Sequence, residues 1–475
     1  MAESRINLGE WMPDQPGLAG NITEALNVVP TAIGYGPFSS EVALSDSASQ
    51  DLLAVFSGKF ANVTTLFAGG DTKLFKFDST DLDLDDVSRT ASAYTSTDMW
   101  DFTQFGKVII AANGKDKLQA WTLGTSTNFA DVAAAAPTAS YVTVVRDFVV
   151  AARTASNPNR VYWSDINDET DWTSGAASQS DYQDIADGGD IQGITGGEFG
   201  LILLERAIVR MSYVGSPLFF QFDTISRSLG CYEPRSIVQY GPVTYFLADD
   251  GFYMCDGQTI KPIGTERVDR FFFNDANPSL FSQMSAAVDP INNLVIWGYT
   301  NTFSKKSMLI YNWQTNRWSH AETTTTYIAT AASATITLEG LDSYGTMDSL
   351  TSSLDSRLWS GGKILLFGVD EDKIYTFTGQ PKTADVQTGD FQAGAQSIVK
   401  LARPQVDNGS ANVAVFSRNR LDTEVIFGDT TPASDENRVS LRSVGRYHRL
   451  KIVPTGDQWK HLVAIDVDAT PVGAR

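Results

Sequence analysis

The sequence predicts an all-β protein: a β-propeller of six or seven blades with a separate C-terminal β-sandwich-like domain. Seven times, a short apolar strand enters a tight polar turn and leaves as a strand carrying an aromatic residue. The turns lie about 42 to 53 residues apart, except before the last hairpin, and a four-stranded blade needs roughly 40 to 50 residues. The hairpins are 66–78, 108–121, 149–163, 200–213, 243–257, 294–313 and 364–377.

The hairpin at 108–121 shows why each unit is predicted as a pair of strands. Its two flanks are rich in β-branched, apolar and aromatic residues, which suit a packed sheet. Asn113 and Gly114 between them tolerate the positive φ angles of a tight turn. A single hairpin cannot bury its apolar face, so we expect the units to stack around a common axis and close a ring.

Composition agrees with a turn-rich globular protein. Hydrophobic residues make up 42% of the chain and charged residues 19%, and there are 38 glycines. The sequence contains neither an apolar run near the roughly 18 residues of a membrane helix nor a basic, apolar leader at its start. We therefore expect a soluble protein without a membrane anchor, made in a cytoplasm.

The sequence predicts no catalytic, cofactor-binding or metal-binding residue. Cys231 and Cys255 are too few for a zinc cage and are expected to pack in the core of a protein from a reducing compartment. The three histidines are far apart in sequence and none belongs to an HExxH-like motif. An enzyme therefore has little support.

The chain divides into three predicted regions. Residues 1–50 are rich in Pro, Gly and Ser and are expected to form an extended N-terminal arm. Residues 51–379 hold the propeller, with an inserted loop at about 322–358 that is rich in Thr, Ser and Ala. Residues 380–475 form the C-terminal domain. Its predicted strands are 413–416, 424–427, 439–441, 449–453 and 462–467.

The negative charge is confined to the first two regions. Residues 380–475 contain 12 Lys and Arg against 11 Asp and Glu, whereas residues 1–379 contain 24 against 45. An acidic surface repels a phosphate backbone, so we expect no sequence-specific nucleic-acid binding by the propeller region. DNA would slide past such a surface without adhering. The alternative is that the charge serves solubility alone.

Five basic residues lie close together in the near-neutral C-terminal region: Arg438, Arg442, Arg446, Arg449 and Lys451. The first three would share one face of a strand. They predict either a docking patch for a neighbouring subunit or an acidic partner, or a solvated strand face.

Several segments resemble structural proteins of short-tailed bacteriophages. The N-terminal matches are Trp11, Pro13, Asp14, Asn27, Val28, Pro30, Tyr35, Gly36, Pro37 and Phe38. The segments SAAVDPINNLVIWGY (285–299), LIYNWQTNRWSHA (309–321) and TMDSLTSSLDSRLWSGG (346–362) are similar to the same proteins, as are GRYHRLKI and WKHLVAIDV near the end. Among such proteins, those with propellers form the tail nozzle, also called the tail hub or packaged-DNA stabilisation protein.

This resemblance implies a non-enzymatic virion component that is assembled in the bacterial cytoplasm. It implies a ring, commonly a homohexamer, seated below the head-to-tail adaptor ring and in contact with other tail proteins such as fibres or spikes. The ring would retain packaged DNA and conduct it during ejection without binding it specifically.

Two alternatives of other classes remain open. The chain could be a propeller lectin or receptor-binding tail module that recognises host surface glycans through aromatic residues at the blade tips. It could also be a glycan hydrolase on the same scaffold, which would require paired carboxylates facing one cleft.

Overall fold

Residues 4–335, 358–359 and 361–472 are described by a computed structural model of the chain. The predicted fold class is confirmed: seven four-stranded antiparallel blades surround one axis. Within these residues the longest helical element is a seven-residue α-helix, α1 (Asp269–Asp275), and no helix has the length and apolarity to span a membrane.

The N-terminal segment carries five short strands. They are β1 (Ser4–Asn7), β2 (Glu24–Leu26), β3 (Val28–Pro30), β4 (Tyr35–Pro37) and β5 (Val42–Ala43). The first four join the C-terminal domain, and β5 joins the propeller. The residues predicted as an extended arm therefore link the two parts of the molecule.

Blades 1 to 3 are each formed by four consecutive strands. Blade 1 contains β6 (Leu52–Phe60), β7 (Val63–Gly70), β8 (Leu74–Phe77) and β9 (Leu84–Asp86). Blade 2 contains β10 (Asp101–Phe105), β11 (Val108–Ala112), β12 (Gln119–Thr122) and β13 (Ala130–Asp131). Blade 3 contains β14 (Tyr141–Val145), β15 (Phe148–Ala152), β16 (Arg160–Trp163) and β17 (Asp181–Asp184).

Blades 4 to 6 repeat this order. Blade 4 contains β18 (Ile191–Thr195), β19 (Phe199–Leu204), β20 (Ile208–Gly215) and β21 (Phe219–Ser226). Blade 5 contains β22 (Val238–Tyr240), β23 (Val243–Leu247), β24 (Phe252–Cys255) and β25 (Ile260–Pro262). Blade 6 contains β26 (Ser285–Asp289), β27 (Leu294–Thr300), β28 (Lys306–Asn312) and β29 (Arg317–Glu322).

Blade 7 is completed by the N-terminal segment. It contains β30 (Tyr327–Ala332), β31 (Ile364–Asp370) and β32 (Lys373–Thr376), and β5 is its fourth strand. Strand β5 pairs with β32 through Tyr375 opposite Ala43 and Thr376 opposite Val42. The ring is therefore closed by a strand that precedes blade 1 in the sequence.

All seven predicted hairpins are the central pairs of these blades, from β7–β8 in blade 1 to β31–β32 in blade 7. Their strands are the most buried because neighbouring blades cover both faces. In β11 and β15, all five residues are buried. This two-sided burial explains their continuous apolar runs.

Two local predictions need correction. Residues 327–332, inside the predicted 322–358 loop, form β30, the innermost strand of blade 7, where small residues fit the crowded axis. The remainder of that loop, 336–357, lies outside the described residues. Residues 424–427 form no strand, because the edge of the neighbouring sheet is already paired with Thr431–Pro432.

The C-terminal domain is a sandwich of two sheets. Its strands are β33 (Asp385–Gln387), β34 (Ser397–Asp407), β35 (Ser410–Arg418), β36 (Thr431–Pro432), β37 (Val439–Gly445), β38 (Tyr447–Thr455) and β39 (His461–Pro471). One sheet has the order β3-β4-β39-β34-β37, with β1 also paired to β39. The other contains β33-β38-β35-β36, and β35 packs against β34 and β37 between the two sheets.

The second sheet of the sandwich continues directly into blade 6. Strand β2 pairs in parallel with β29, with Leu26 opposite His320, and antiparallel with β33 on its other side. The result is one nine-stranded sheet from the propeller axis to the outer edge of the sandwich. Backbone hydrogen bonds therefore run from the propeller into the sandwich at this junction.

Buried aromatic residues pack blade 6 and α1 against blade 5. The ring of Phe252 in blade 5 lies 4.6 Å from that of Trp297 in blade 6 and 4.9 Å from that of Phe272 in α1. The Trp297 indole donates a hydrogen bond to the Ser236 carbonyl at 2.9 Å. Each such side chain contributes about 1.5–3 kcal/mol through burial, which fixes blade 6 against blade 5.

Candidate functional site

The five basic residues predicted as a docking patch lie on two different sheets. Arg442 belongs to β37, with Arg438 just before that strand and Arg446 just after it. Arg449 and Lys451 belong to β38 in the opposite sheet of the sandwich. The five side chains therefore do not form one continuous surface.

Arg449 and Lys451 neutralise buried or half-buried carboxylates within the domain. The Asp390 side chain is 2% exposed and its Oδ2 lies 2.8 Å from Arg449 Nη2 and 2.6 Å from Arg418 Nη2. Lys451 Nζ lies 2.6 Å from Asp385 Oδ2. These contacts give both cations a role inside the sandwich.

Arg438, Arg442 and Arg446 are exposed on the outer side of the other sheet. Arg438 is paired with Glu436 at 2.9 Å, and Arg446 lies 5.2 Å from the centre of the Tyr447 ring. Arg442 makes no ion pair with any described residue. Beside it, Val444 is 48% exposed, so this edge presents a mixed basic and apolar surface.

A second candidate site lies on the propeller axis. A cavity of about 210 Å³, the axial cavity, is lined by residues from or next to the innermost strands of all seven blades. Its wall combines apolar side chains, among them Met99, Trp100, Ile194, Ile237 and Ile328, with polar groups such as Asp101, Arg235 and Ser285. A space of this size admits a small molecule but no polypeptide or nucleic-acid strand.

The axial cavity opens toward a larger polar depression of about 530 Å³, the mouth. The two share Met99, Tyr141, Pro234 and Arg235. The mouth is formed by segments that precede inner strands and by turns inside blades 2 and 3. Its charged and amide residues are Asp98, Asn113, Lys115, Arg153, Asp190, Gln192, Glu233 and Arg235.

Arg235 lies where the two spaces meet. Its guanidinium carbon is 4.8 Å from the centre of the Tyr327 ring. Among the described residues it has no carboxylate within ion-pair distance, and its side chain donates no hydrogen bond. The residue belongs to a short 3-10 helix, Pro234–Ser236, which holds its backbone at the start of blade 5.

Two carboxyl groups line these spaces, Glu233 in the mouth and the half-buried Asp101 in the axial cavity. Glu233 is 9% exposed and accepts a hydrogen bond from the Arg235 backbone N–H at 3.4 Å. Asp101 accepts one from the Val142 N–H at 2.8 Å. Burial raises the pKa of Glu233 to about 7 and that of Asp101 to about 7, because a low-dielectric environment disfavours the charged form.

Arg153 forms part of the mouth and is only partly satisfied. Its Nη1 lies 3.1 Å from the Ile191 carbonyl, 3.3 Å from Gln192 Oε1 and 3.4 Å from the Tyr141 hydroxyl. Its Nη2 lies 3.9 Å from Asp190 Oδ2, too far for a hydrogen bond. This nitrogen can therefore donate to a ligand.

The chemistry of the mouth suits binding. Within the described parts of the chain, no three His, Cys, Asp or Glu side chains are close enough together to hold a metal ion.

The two cysteines lie outside the mouth. Cys231 and Cys255 are free and buried, which confirms their predicted place in the core, and burial raises the pKa of Cys231 to about 12. A thiol in that state is a poor nucleophile.

Sequence reasoning missed the mouth because its residues come from several blades. Asp98, Arg153 and Glu233 share no motif and are separated from one another by dozens of positions. Their one common property is proximity to the start of an inner strand or to a turn facing the same end of the axis. That property emerges only after the blades have been aligned.

Comparisons with known proteins do not identify a family. No family model matches the chain, and no curated protein matches it. A crystal structure of the computationally designed Ika8 protein is 9% identical, with a TM-score of 0.38, over 71% of this chain and 99% of that one. The Pan2 WD40 domain of Neurospora crassa is 7% identical, with a TM-score of 0.40, over 72% and 97%. The propeller assignment rests on the sheet arrangement itself, and neither similarity informs function.

Proposed function

We propose that this chain is a structural subunit of a short-tailed phage tail. In this proposal, several copies form a ring-shaped nozzle that retains packaged DNA and conducts it during ejection. The proposal begins from the segments that resemble tail nozzle proteins. It assigns no catalytic residue.

The observation that carries the proposal is the continuous sheet between blade 6 and the sandwich. A ring that holds pressurised DNA needs subunits that do not flex at domain junctions. Here β2 is inserted between β29 and β33, so that backbone hydrogen bonds cross the junction. A flexible linker would instead make relative domain motion the default expectation.

In this proposal the conduit runs between subunits, because the propeller axis is narrow. The axial cavity of about 210 Å³ is too small for a nucleic-acid strand. DNA would therefore pass along the symmetry axis of the ring, and the propellers would surround it or project from it.

The charge distribution supports a conduit that does not adhere to DNA. Each subunit carries a net charge of −20, with the acidic excess in residues 1–379. Six copies would carry roughly −120, enough to shape the field in a narrow tube. Since nucleic-acid affinity depends on neutralising phosphates, such a ring would bind duplex DNA weakly.

The decisive experiment is native mass spectrometry and negative-stain electron microscopy of the full chain, alone and with the adaptor protein from the same genome. We expect a closed ring of about six subunits with a central opening. Duplex DNA should not be retained by the ring at physiological salt. A monomer that forms no ring even with the adaptor would overturn the proposal.

One observation favours a receptor-binding role as the second candidate. The exposed aromatic side chains include Phe303 (79%), in the β27–β28 turn of blade 6, and Tyr182 (46%), on the outer strand of blade 3. Exposed aromatic rings suit sugar faces. Specific hits on a glycan array that are lost in Phe303→Ala or Tyr182→Ala would favour this candidate.

A further inference from the structure

From the geometry of the axial cavity and its mouth, we propose that the propeller binds a small carboxylate-bearing sugar at Arg235. This inference does not depend on the tail function, because it concerns a site enclosed within one subunit. The ligand class follows from three features: an arginine with no carboxylate within ion-pair distance, carboxyl groups that line the same spaces, and a wall containing aromatic rings.

The first feature is the arginine at the junction of the two spaces. A guanidinium presents a planar fork of donors that matches the two oxygens of a carboxylate. The Arg235 fork is held over Tyr327 at 4.8 Å, and among the described residues no carboxylate lies within ion-pair distance of it; Glu233 interacts with it only from farther away. In a chain with a net charge of −20, a cation without such an ion pair inside a cavity is exceptional and favours an anionic ligand.

The second feature is polar capacity next to that cation. Glu233 is nine-tenths buried, and its carboxyl group accepts a long hydrogen bond of 3.4 Å from the Arg235 backbone N–H. The Arg153 Nη2 atom also faces the mouth without a hydrogen bond. The hydroxyl groups of a ligand could donate a hydrogen bond to the Glu233 carboxyl group and accept one from Arg153 Nη2.

The third feature is the shape and nature of the wall. Trp100, Tyr141 and Tyr327 border a space of about 210 Å³ whose remaining wall combines aliphatic side chains with the polar groups of Asp101, Arg235 and Ser285. This combination matches a ligand with an apolar ring face and a polar rim, one sugar ring in size. A highly charged phosphate ester is disfavoured because Asp98, Asp101, Asp190 and Glu233 would repel it.

The pH dependence provides a second, independent signature. Asp101 and Glu233 have pKa values raised to about 7, so both become neutral as the pH falls below 7 and stop repelling an anion. The other titratable groups that line the two spaces are Tyr141, Tyr327, Asp98, Asp190, Lys115, Arg153 and Arg235. The double variant Asp101→Asn with Glu233→Gln tests whether these two carboxyl groups cause the pH dependence of affinity. The variant should still bind the sugar, but with the same affinity at pH 6 and pH 8.

The test is isothermal titration of the full chain with glucuronate, glucose and inorganic phosphate at pH 6 and pH 8. We expect glucuronate to bind one per chain, more tightly at pH 6 and more tightly than the other two. Arg235→Ala should weaken it about 10- to 100-fold and Arg235→Lys by less. Arg270→Ala, an exposed arginine on α1, is the matched control and should bind normally.

Circular dichroism and thermal unfolding of each variant separate loss of the site from loss of the fold. If Arg235→Ala does not fold, the Arg235→Lys variant and the pH signature still decide. The proposal is wrong if glucuronate does not bind at millimolar concentration, if glucose or phosphate binds equally well, or if a folded Arg235→Ala binds as the unaltered chain does.

Discussion

Lys382 Nζ lies 2.7 Å from Glu41 Oε1, and this pair joins the two ends of the propeller. Glu41 immediately precedes β5, and Lys382 follows blade 7 on the way to the sandwich. The two side chains are only 9% and 14% exposed. Burial opposes ionisation of Glu41, but hydrogen bonds from Lys382 and Thr323 outweigh it and hold the pKa of Glu41 below its usual range.

Removing one member of this pair should destabilise the closed ring. Glu41→Gln leaves the Lys382 ammonium largely buried without a counter-charge, so we expect a loss of about 3 kcal/mol in the free energy of unfolding. Urea denaturation followed by tryptophan fluorescence measures it. The control is Arg420→Met, which breaks the exposed Arg420–Asp422 pair and should cost less than about 1 kcal/mol. Equal effects of the two variants would contradict this assignment.

The contact between Gly34 and the sandwich can be tested with a pair of glycines. Both Gly34 (φ +79°) and Gly20 (φ +82°) have left-handed backbones, so alanine is strained by a similar amount at each, about 1–2 kcal/mol. They differ in space: a Cβ on Gly34 would lie 2.1 Å from the Leu462 carbonyl oxygen, whereas nothing lies within 4 Å of one on Gly20.

Gly34→Ala should therefore destabilise the protein by several kcal/mol more than Gly20→Ala, because the β3–β4 hairpin must move away from β39. Thermal unfolding of the two variants gives the comparison. Hydrogen exchange should show the loss of protection in β4 and β39 for Gly34→Ala alone. Similar melting temperatures for both variants would mean that the hairpin is not held tightly against the sandwich.

A buried histidine should make the sandwich sensitive to acid. His448 is 0% exposed, with Nε2 2.8 Å from Ser397 Oγ and Nδ1 2.6 Å from Ser417 Oγ. Burial lowers the pKa of His448 below its ordinary value. In the unfolded chain a histidine binds a proton near pH 6.5, and the folded protein does so only at lower pH, so stability falls as the pH drops below about 6.5.

His448→Gln should reduce this loss of stability between pH 7 and pH 5, even though it lowers stability at pH 7. Urea midpoints measured across that range give the slope. His461→Gln, at an exposed histidine, should leave the slope of the unaltered protein unchanged. A slope that is the same in all three proteins would exclude His448 as its source.

Sequence periodicity located the blades because their central hairpins depend on local residues. The pair β11–β12 needs an apolar strand, the Asn113–Gly114 turn and a partner strand, all within a few residues. Inner and outer strands carry weaker patterns. Strand β17, for example, has four exposed residues and is defined by its pairing with β16.

Long-range pairing explains what the sequence could not indicate. Strand β5 has two residues and joins blade 7 across more than 300 positions, and β2 connects β29 to β33 in the same way. Nothing in such short segments specifies a distant partner. The Arg235 site could not be predicted from the sequence for a similar reason, because the residues that line it come from several different blades.

The exposed arginines beside β37 provide the final prediction, which addresses assembly. Arg442 and Arg446 face solvent, whereas Arg449 is already engaged with Asp390. If this edge docks on a neighbouring subunit or on the adaptor, Arg442→Glu with Arg446→Glu should convert attraction into repulsion and shift the native mass from the ring to smaller species. Arg206→Glu reverses one charge at an exposed arginine of the propeller. It is the control for a charge reversal outside this edge and should leave the ring intact. Assembly that is unchanged in a folded double variant would show that these arginines form only a solvated face.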